Sequence, residues 1–447
     1  MSTTNGSDFP DQKEMESLVS GVLDTARQKG ATSAEVGMNF ASGLNVTVRM
    51  GEVETLEYNR DRSLGITVYV GQRKGSASTS DCSPAAIEDA VTAACAIAKH
   101  SGEDPYSGLA DADLMATQEV ELDLFHPWDL SAEKAIEIAL QCENSARADE
   151  QISNSEGATV STRSGISLYG NSHGFLNGYS GTRHSISCSV IANDDNGMQR
   201  DYWYTLARDA VALDSPESVG LKAAERTLNR CNARKLKTGQ VPVILQAEVA
   251  SGFFQHLINA ISGGNLYRKS SFLLDALGKQ IFPDTIRIQE LPHLKKALGS
   301  AWYDNEGVAT KSRDIISEGV LQGYVLGSYS ARKMGMKTTG NAGGVHNLQV
   351  QPGELDLPGL LKEMNTGLLV TELMGQGINI VTGDYSRGAA GYWVENGEIQ
   401  YPVEEVTIAG NLSDMFMHVQ QVGTDVDMRG NIQTGSVLIE NMMLAGD

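Results

Sequence analysis

The sequence predicts an α+β protein of three successive units, the last of them rich in β structure. Segments with apolar residues at helical spacing alternate with stretches in which apolar and polar residues follow one another singly. Glycine is frequent, with 47 among 447 residues, and often separates the strand-like stretches, as expected for tight turns and close backbone approaches. A chain of this length exceeds one compact core, so we expect two or three domains.

The first unit, residues 1–110, is expected to pack helices against antiparallel strands. The predicted elements are a helix at 12–29, strands at 34–40, 44–49, 53–59, 64–70 and 75–79, and a helix at 84–99. Ser83 followed by Pro84 is a typical helix start. Residues 1–14 are polar and acidic and lack the basic and apolar regions of a signal peptide.

The middle unit, residues 111–232, reads as a helix, an antiparallel meander and a closing helix. The predicted elements are a helix from Ser131 to about 148, strands at 164–169, 174–178, 184–192 and 199–206, and a helix at 216–229. Asp194-Asp195-Asn196-Gly197 is a hairpin signal between the last two strands.

The third unit, residues 233–447, includes most of a basic linker at 232–240 and is expected to form, from Val241 onwards, a barrel-like sheet carrying a few helices. A strand at 241–245 leads directly into a helix that Gly263-Gly264 is expected to end. The apolar face of this helix comprises Ala250, Phe253, Phe254, Leu257, Ile258 and Ile261. Asn396-Gly397 predicts a type I′ hairpin. The other predicted elements are strands at 367–373, 378–383, 391–395, 398–402, 405–409 and 436–439, and a helix at 412–420.

Composition excludes several classes of function. The formal net charge of −21 repels nucleic acid and anionic membranes, so neither is expected as a partner. No window approaches the run of about 18 apolar residues that marks a membrane span. The five cysteines are odd in number and widely spaced, which favours reduced thiols in a cytoplasmic protein.

A helix entering directly from a buried strand is where a metallopeptidase would carry its metal ligands and its general base. Here Glu248 supplies an acid, but no two of the eight histidines lie close together in sequence. No cysteine follows Cys231, and the sequence contains no C-x-x-C pair. The sequence therefore contains no local metal-binding motif, and a site assembled from distant residues stays open without a positive signal.

The candidate peptide-binding residues are Glu372, on the strand predicted at 367–373, Gly375 and Gly377, in the glycine-rich segment that follows that strand, and Ser386. Glycine lets an extended peptide approach a sheet edge, where it is bound through its main chain. Ser386 is also a candidate nucleophile, but its surroundings, G-D-Y-S-R-G, miss the G-x-S-x-G pattern by one position. A turn serine is favoured, with Asp384 and Arg387 as a local ion pair.

Several motifs resemble the TldD/PmbA metallopeptidase family over nearly the whole chain after about residue 12. They include L-G-I-T-V-Y (64–69), R-K-G-S-A-S (73–78), G-N-S-H-G (170–174), Y-R-K-S-S-F-L-L-D (267–275), S-Y-S-A-R-K (328–333), N-A-G-G-V-H-N (341–347), V-T-E-L-M-G-Q-G (370–377), T-G-D-Y-S-R-G-A-A-G (382–391) and V-E-N-G-E-I-Q-Y-P-V (394–403). The resemblance implies a cytoplasmic bacterial protein, paired with a TldD-like metal-bearing subunit. It also implies a role in the zinc-dependent cutting or maturation of small peptides.

The metal-bearing branch of that family carries H-E-x-x-x-H on this helix and a further cysteine ligand late in the chain. Carried over by position, the first histidine falls on Ala247, the glutamate on Glu248 and the second histidine on Gly252. The late cysteine has no counterpart. The resemblance thus implies a degenerate motif without metal, with zinc expected in the partner subunit. Glu248 is then an acid favoured at a helix N-terminus by the helix dipole.

Three functions stay open at this point. The chain is a non-catalytic subunit of a heterodimeric zinc peptidase, or a peptide-binding scaffold that acts without the partner, for example as a homodimer. In the third interpretation it is a self-sufficient hydrolase that uses a nucleophile such as Ser386.

Overall fold

The computed structural model describes residues 11–195 and 197–446. It confirms the predicted α+β class, with a strand-rich C-terminal half. Residues 1–10 of the predicted polar N-terminal segment, and Asn196 of the predicted turn, lie outside the described residues.

The first half of the chain forms one large sheet covered by helices. Its elements are α1 (Gln12–Gln28), β1 (Ser33–Arg49), β2 (Glu52–Val70), β3 (Arg73–Thr79), α2 (Pro84–His100), α3 (Ala132–Ala146), β4 (Ile152–Asn171), β5 (Leu176–Asp194), β6 (Gly197–Ala207) and α4 (Pro216–Leu228). The strands pair antiparallel in the order β3-β2-β1-β4-β5-β6. The first two units therefore share a sheet through the pairing of β1 with β4, and the boundaries at 110 and 232 stay predictions.

Two helix pairs cover two halves of this sheet. Met15 and Val19 of α1 and Val91 of α2 pack on one buried cluster with β1, β2 and β4. Ala139 of α3 and Val219 of α4 pack on a second cluster with β1, β4 and β5. The sheet is thus buried under α1 and α2 at one end and under α3 and α4 at the other.

The strands are longer than predicted, because some glycines serve close packing instead of turns. The predicted break at Gly43 is wrong, since β1 runs through it as one strand. A Cβ at Gly43 would lie 2.4 Å from the carbonyl oxygen of Thr162 on β4. The glycine therefore allows neighbouring strands to approach without ending either of them. The strands predicted at 53–59 and 64–70 are likewise joined in β2, and those at 174–178 and 184–192 both fall largely within β5.

The second half of the chain contains a small closed barrel and a second sheet. Its elements are β7 (Gly239–Leu245), α5 (Ala247–Ala260), α6 (Gly263–Tyr267), β8 (Ile288–Glu290), β9 (Arg313–Ser317), β10 (Val320–Leu321), α7 (Ser328–Lys333), β11 (Leu348–Val350), α8 (Leu357–Met364), β12 (Gly367–Met374), β13 (Ile378–Asn379), β14 (Asp384–Glu395), β15 (Glu398–Asn411), α9 (Leu412–Met417), β16 (Val419–Val422), β17 (Ile432–Gln433) and β18 (Val437–Ala445).

Strand pairing closes the barrel. β12, β7, β18, β15 and β14 are neighbours in that order, and β14 pairs back onto β12. Only β7 and β12 run parallel within this ring. β10, β9, β8, β11 and β17 form the second sheet, which the sequence did not predict. The hairpin between β14 and β15 is confirmed, with φ of 55° at Asn396 and 74° at Gly397, as a type I′ turn requires.

Three element ends differ from prediction. Helix α5 ends at Ala260, and Gly263-Gly264 opens α6. A Cβ at Gly263 would lie 2.2 Å from the Ser330 hydroxyl on α7, so glycine at this position lets α6 and α7 pack closely. The strand predicted at 378–383 stops at Asn379, whose side chain and carbonyl accept from the amides of Val381 and Gly383 in a turn. The helix predicted at 412–420 stops at Met417, since Val419 begins a strand that pairs with β18.

The largest buried cluster lies between α5, the barrel and the second sheet. The apolar face of α5 is buried as predicted, and Phe253 packs edge-on against Phe416 with ring centroids 4.9 Å apart. Phe282 stacks on Phe416 at 4.7 Å, which anchors the chain after α6 to the same core. Among the described helices, none combines the length and apolar character needed to cross a bilayer.

Candidate functional site

The start of helix α5 is fixed by the barrel strands on both sides. The amide of Gln246 donates to the carbonyl of Val370 on β12, and the amide of Ala247 donates to the Ser436 hydroxyl at 3.1 Å. Ser436 is held in turn by the Asp425 carboxylate, at 2.6 Å from its hydroxyl. This arrangement satisfies a free amide of the first helical turn and places Glu248 within that turn.

Glu248 is held by two arginines from different parts of the chain. Nη1 of Arg226, on α4, lies 3.0 Å from Oε2 and 3.3 Å from Oε1, and Nη2 of Arg429 lies 3.5 Å from Oε1. The side chains are 22% exposed for Glu248, 14% for Arg226 and 15% for Arg429. Attraction between such partly buried charges is stronger than at the open surface.

Aromatic rings support both guanidinium groups. The Trp203 ring centroid lies 5.1 Å from the Cζ of Arg226 and 4.1 Å from that of Arg429. The Tyr204 ring lies 4.4 Å from the Arg429 Cζ. Arg429 also donates to the backbone carbonyl of Tyr204 at 3.0 Å. Strand β6 of the large sheet is thereby joined to the loop before β17 by cation–π contacts and a hydrogen bond.

Further carboxylates extend this set of charges. Asp427 pairs with Arg429 through both its oxygens, at 2.9 and 3.0 Å. Burial favours a lower pKa for Arg429, but this carboxylate outweighs it and raises the pKa above its ordinary value. Asp201 lies within 3.4 Å of Arg226 and 3.6 Å of Arg230. We call Asp201, Trp203, Arg226, Glu248, Asp427 and Arg429 the Glu248 network.

The Glu248 network is suited to holding a carboxylate in place and poorly suited to a divalent cation. Two guanidinium groups already neutralise Glu248, and they would repel a metal ion beside it. The Ala247 side chain is buried and carries no atom that can bind a metal. Gly252 has no side chain, and an added Cβ at this position would meet no atom within 4 Å. Over residues 11–195 and 197–446, no group of three His, Cys, Asp or Glu side chains is placed to hold a metal.

Two openings flank Glu248. A cavity of about 510 Å³ lies between α4 and the barrel, with Trp203, Arg226, Glu248, Thr371 and Tyr392 among its lining residues. On the other side a smaller cavity of about 290 Å³ is lined by residues that include Gly252, Gln255, Asp427 and Arg429. The larger cavity falls within the size range of ligand-binding pockets and is lined by both aromatic and charged side chains.

The four candidate peptide-binding residues are spread along one strand pair. Gly377 and Ser386 are brought together, since the Ser386 amide donates to the Gly377 carbonyl at 2.7 Å. Glu372 lies opposite Ala390 of β14, which is four residues, or about 13 Å, beyond Ser386 on the same strand. It pairs with Nη1 of Arg230 at 2.5 Å. Gly375 lies between the two places in an exposed turn, with φ of 75°.

The predicted turn around Ser386 is wrong, because Asp384–Glu395 is one continuous strand. Asp384 and Arg387 are three positions apart and so face opposite sides of the sheet, which rules out the predicted ion pair. Asp384 instead accepts from the Thr382 hydroxyl at 2.6 Å, and Arg387 donates to the Leu373 carbonyl at 3.1 Å. Ser386 is exposed, and within residues 11–195 and 197–446 no histidine or carboxylate side chain is hydrogen-bonded to its hydroxyl, as nucleophilic chemistry would require.

Sequence reasoning found Glu248 but missed its partners. Arg226, Trp203 and Arg429 lie in three separate segments, and no local spacing links them. The sole local signal is the D-Y-W-Y run at 201–204, which places three aromatic rings and a carboxylate on one strand.

Comparison with known proteins identifies the family. Models of the PmbA/TldA metallopeptidase match three segments: domain 1 at residues 34–98, the central domain at 125–230 and the C-terminal domain at 238–446. The chain belongs to the PmbA/TldD metallopeptidase family.

Close relatives span the whole chain. It is 53% identical to Metalloprotease PmbA of Escherichia coli O157:H7, over 97% of each chain. It is 45% identical to a Metalloprotease PmbA homolog of Buchnera aphidicola from Acyrthosiphon pisum, over 93% of each. The same Buchnera strain has a Metalloprotease TldD homolog, 23% identical over 54% of this chain and 55% of the relative.

A solved structure shares the architecture. The crystal structure of a putative modulator of DNA gyrase from Bacteroides thetaiotaomicron aligns with a TM-score of 0.93 and 27% identity, over 97% of this chain and 99% of that one.

Proposed function

We propose that this chain is the non-catalytic subunit of a heterodimeric zinc peptidase that cleaves or matures small or unfolded peptides. The zinc is held by a TldD-like partner subunit, and this chain supplies structure and peptide contacts. The observation that carries the proposal is the state of Glu248, the one retained residue of the H-E-x-x-x-H motif, which is bound by two arginines.

The chemistry of a zinc peptidase needs a glutamate that is free to take a proton from metal-bound water. Glu248 accepts from Arg226 and faces Arg429, so the proton-accepting lone pairs are engaged by cations. Ala247 and Gly252, in place of the two histidines, offer no ligand atoms. These features support a structural role for the helix in this chain and a catalytic role for the equivalent helix of the partner.

Peptide binding is supported by the shape of the region and by its exposed main chain. The 510 Å³ cavity beside Glu248 carries Trp203, Tyr392 and Tyr401, rings that can pack on peptide side chains. The turn that follows β12, including Gly375 and Gly377, leaves exposed backbone next to Ser386. An extended peptide bound there through its main chain is recognised largely without regard to sequence.

The occurrence of both a PmbA and a TldD homolog in one Buchnera strain supports a two-chain arrangement. The test is reconstitution of this chain with a metal-bearing relative from the same organism. We expect cleavage of an unfolded peptide by the mixture and co-elution of the two chains. The proposal fails if the two chains never associate, or if the metal-bearing chain alone is as active as the mixture.

A further inference from the structure

The inner face of β14 carries two polar side chains beside helix α5. Tyr385 and Arg387 lie two residues apart on this strand, so their side chains share a face of the sheet. Tyr385 packs in the core between α5 and the barrel, and its ring meets the His256 ring of α5 edge-on, with centroids 6.0 Å apart. A phenol, a guanidinium and an imidazole, all able to donate hydrogen bonds, therefore lie together where β14 meets α5.

These donors are mostly left without acceptors. Nη2 of Arg387 donates to the Leu373 carbonyl at 3.1 Å, but Nε of the same side chain is buried and has no hydrogen-bond partner. Within the described part of the chain, no oxygen accepts from the His256 ring or from the Tyr385 hydroxyl, although Tyr385 is only 2% exposed. Since buried polar groups are as a rule hydrogen-bonded, this set of side chains lacks an acceptor.

No acid offsets the charge of Arg387. Over residues 11–195 and 197–446, no Asp or Glu side chain forms an ion pair with its guanidinium. Glu372, on the neighbouring strand β12, is engaged by Arg230. Asp384 faces the other side of the sheet and accepts from the Thr382 hydroxyl. The guanidinium therefore stands uncompensated in a partly buried place, where attraction for an anion is stronger than at the open surface.

The two neighbouring rings are neutral at pH 7. Burial lowers the pKa of the His256 imidazole, and the charge of Arg387 lowers it further. Burial raises the pKa of Tyr385, so its hydroxyl keeps the proton that it can donate. Together the three side chains present one positive charge and several hydrogen-bond donors.

We propose that His256, Tyr385 and Arg387 form a binding site for a carboxylate of the peptide. A carboxylate carries one negative charge, accepts several hydrogen bonds and pairs with a guanidinium through two of its nitrogens. It thus matches the single uncompensated charge and supplies the missing acceptor. This inference rests on the proposed function and adds to it the group by which the peptide is held.

The carboxylate site adjoins the exposed turn that follows β12. Leu373, whose carbonyl Arg387 holds, is the last residue but one of β12. Ser386, next to Arg387, donates its amide to the Gly377 carbonyl at 2.7 Å. A peptide bound along the main chain of this turn therefore has the guanidinium at hand. Main-chain pairing holds a peptide largely without regard to sequence, so the carboxylate is what fixes its position along the turn.

The test is peptide binding to the purified full chain, measured by fluorescence anisotropy. The probes are short unstructured peptides of alanine, glutamine and threonine with an uncharged fluorophore at the N-terminus. One ends in a free carboxylate, one in an amide, and one in an amide with a glutamate inside the peptide. We expect about tenfold tighter binding of the free-acid peptide than of the amide without glutamate. The third peptide shows whether a side-chain carboxylate serves as well.

Variants assign the preference to the guanidinium. Arg387→Met should abolish the difference between the free-acid peptide and the amide. Arg387→Lys keeps the charge but not the planar fork, and should keep a smaller difference. Arg287→Met, which removes a guanidinium paired with Asp314, is the matched control and should keep the full difference. Circular dichroism and melting temperature show whether each chain is folded, and the comparison of peptides on the unaltered chain needs no variant.

Equal binding of all three peptides by the unaltered chain overturns the carboxylate site but leaves the proposed function standing, because peptide still binds. A preference for the free acid that folded Arg387→Met retains overturns it as well. If the unaltered chain binds none of the peptides, the carboxylate site is again overturned, and reconstitution with a metal-bearing relative decides the proposed function separately.

Discussion

Arg226 reaches both carboxylate oxygens of Glu248 through a single nitrogen, Nη1, at 3.0 and 3.3 Å. Arg226 lies on α4 of the large sheet, and Glu248 lies on α5 of the barrel half, so this contact joins the two halves of the molecule. Arg429 approaches the same carboxylate from the opposite end of the chain. The first turn of α5 thus carries a charge cluster that joins the two halves of the molecule.

Breaking this cluster on one side should destabilise the protein. Arg226→Met leaves Glu248 and Asp201 with one cation fewer in a partly buried place, and we expect a loss of about 2 kcal/mol in the free energy of unfolding. Glu248→Gln should cost less, and the double variant should cost less than the sum of the two. Urea unfolding measures all three. Arg287→Met is the control, since its pair with Asp314 is more exposed and its loss should cost clearly less stability.

The account is contradicted if Arg226→Met and Arg287→Met lose the same stability, or if the effects of Arg226→Met and Glu248→Gln simply add. Either result would mean that Glu248 and Arg226 do not depend on each other.

Gly252→Ala should stabilise the protein. Gly252 lies inside α5 with ordinary helical backbone, and no atom would meet the new Cβ within 4 Å. Alanine in a helix interior is favoured over glycine by about 0.5–1 kcal/mol. Gly391→Ala is the contrasting variant, since its Cβ would lie 1.9 Å from the Leu369 carbonyl oxygen and should destabilise the barrel. A rise in melting temperature for the first and a fall for the second is the expected pattern. A destabilised Gly252→Ala chain would show that this position is closely packed.

Asp304 should make stability depend on pH in the direction opposite to most carboxylates. Burial raises the pKa of Asp304 to about 7, although the amides of Ala342, Glu306 and Val308 donate to it. The unfolded chain releases this proton near the ordinary pKa of 3.8, whereas the native chain keeps it until about 7. The stability that Asp304 contributes is therefore fully present below the ordinary value and is lost as pH rises towards 7.

Urea unfolding of the unaltered chain and of Asp304→Asn between about pH 4.5 and pH 7.5 isolates this contribution. Because one proton is involved, the unfolding free energy should change by at most ~1.4 kcal/mol when the pH changes by one. We expect the difference in unfolding free energy between the two chains to move in favour of Asp304→Asn as pH rises. A difference that stays constant over this range would show that the carboxyl titrates normally.

Ser386→Ala should leave peptide cleavage by the reconstituted pair within about twofold of the unaltered pair, because the structure gives Ser386 no activating base. Gly377→Ala should reduce peptide binding, since its Cβ would lie 2.0 Å from the Ser386 carbonyl oxygen and displace the turn that follows β12. Steady-state kinetics with an unfolded peptide measure both. Loss of kcat in Ser386→Ala with KM unchanged would support a nucleophilic serine instead.

Local patterns in the sequence foretold the parts of the fold that local chemistry decides. The apolar face of α5 followed from residue spacing, and the hairpin at Asn396-Gly397 followed from the positive φ angles that its turn requires. Gly43 and Gly263 were misread, because their role depends on Thr162 and Ser330, which are distant in sequence.

The same limit applies to the site. Position in the chain identified Glu248, Ala247 and Gly252. The positive charges around Glu248 come from residues 226 and 429, and the ring of Trp203, which packs against both guanidinium groups, comes from a third segment. Their meeting depends on the docking of the large sheet against the barrel, which no spacing in the sequence expresses. The short strands β8–β11 were missed for a related reason, since two to five residues carry too little periodicity to be recognised.

The most direct test of the central claim is the zinc content and peptidase activity of this chain purified alone, beside its mixture with a metal-bearing relative. We expect the lone chain to hold far less than one zinc per chain and to cleave no unfolded peptide, while the mixture holds zinc and cleaves it. One tightly bound zinc per lone chain, together with peptide hydrolysis that Glu248→Gln abolishes, would contradict the account.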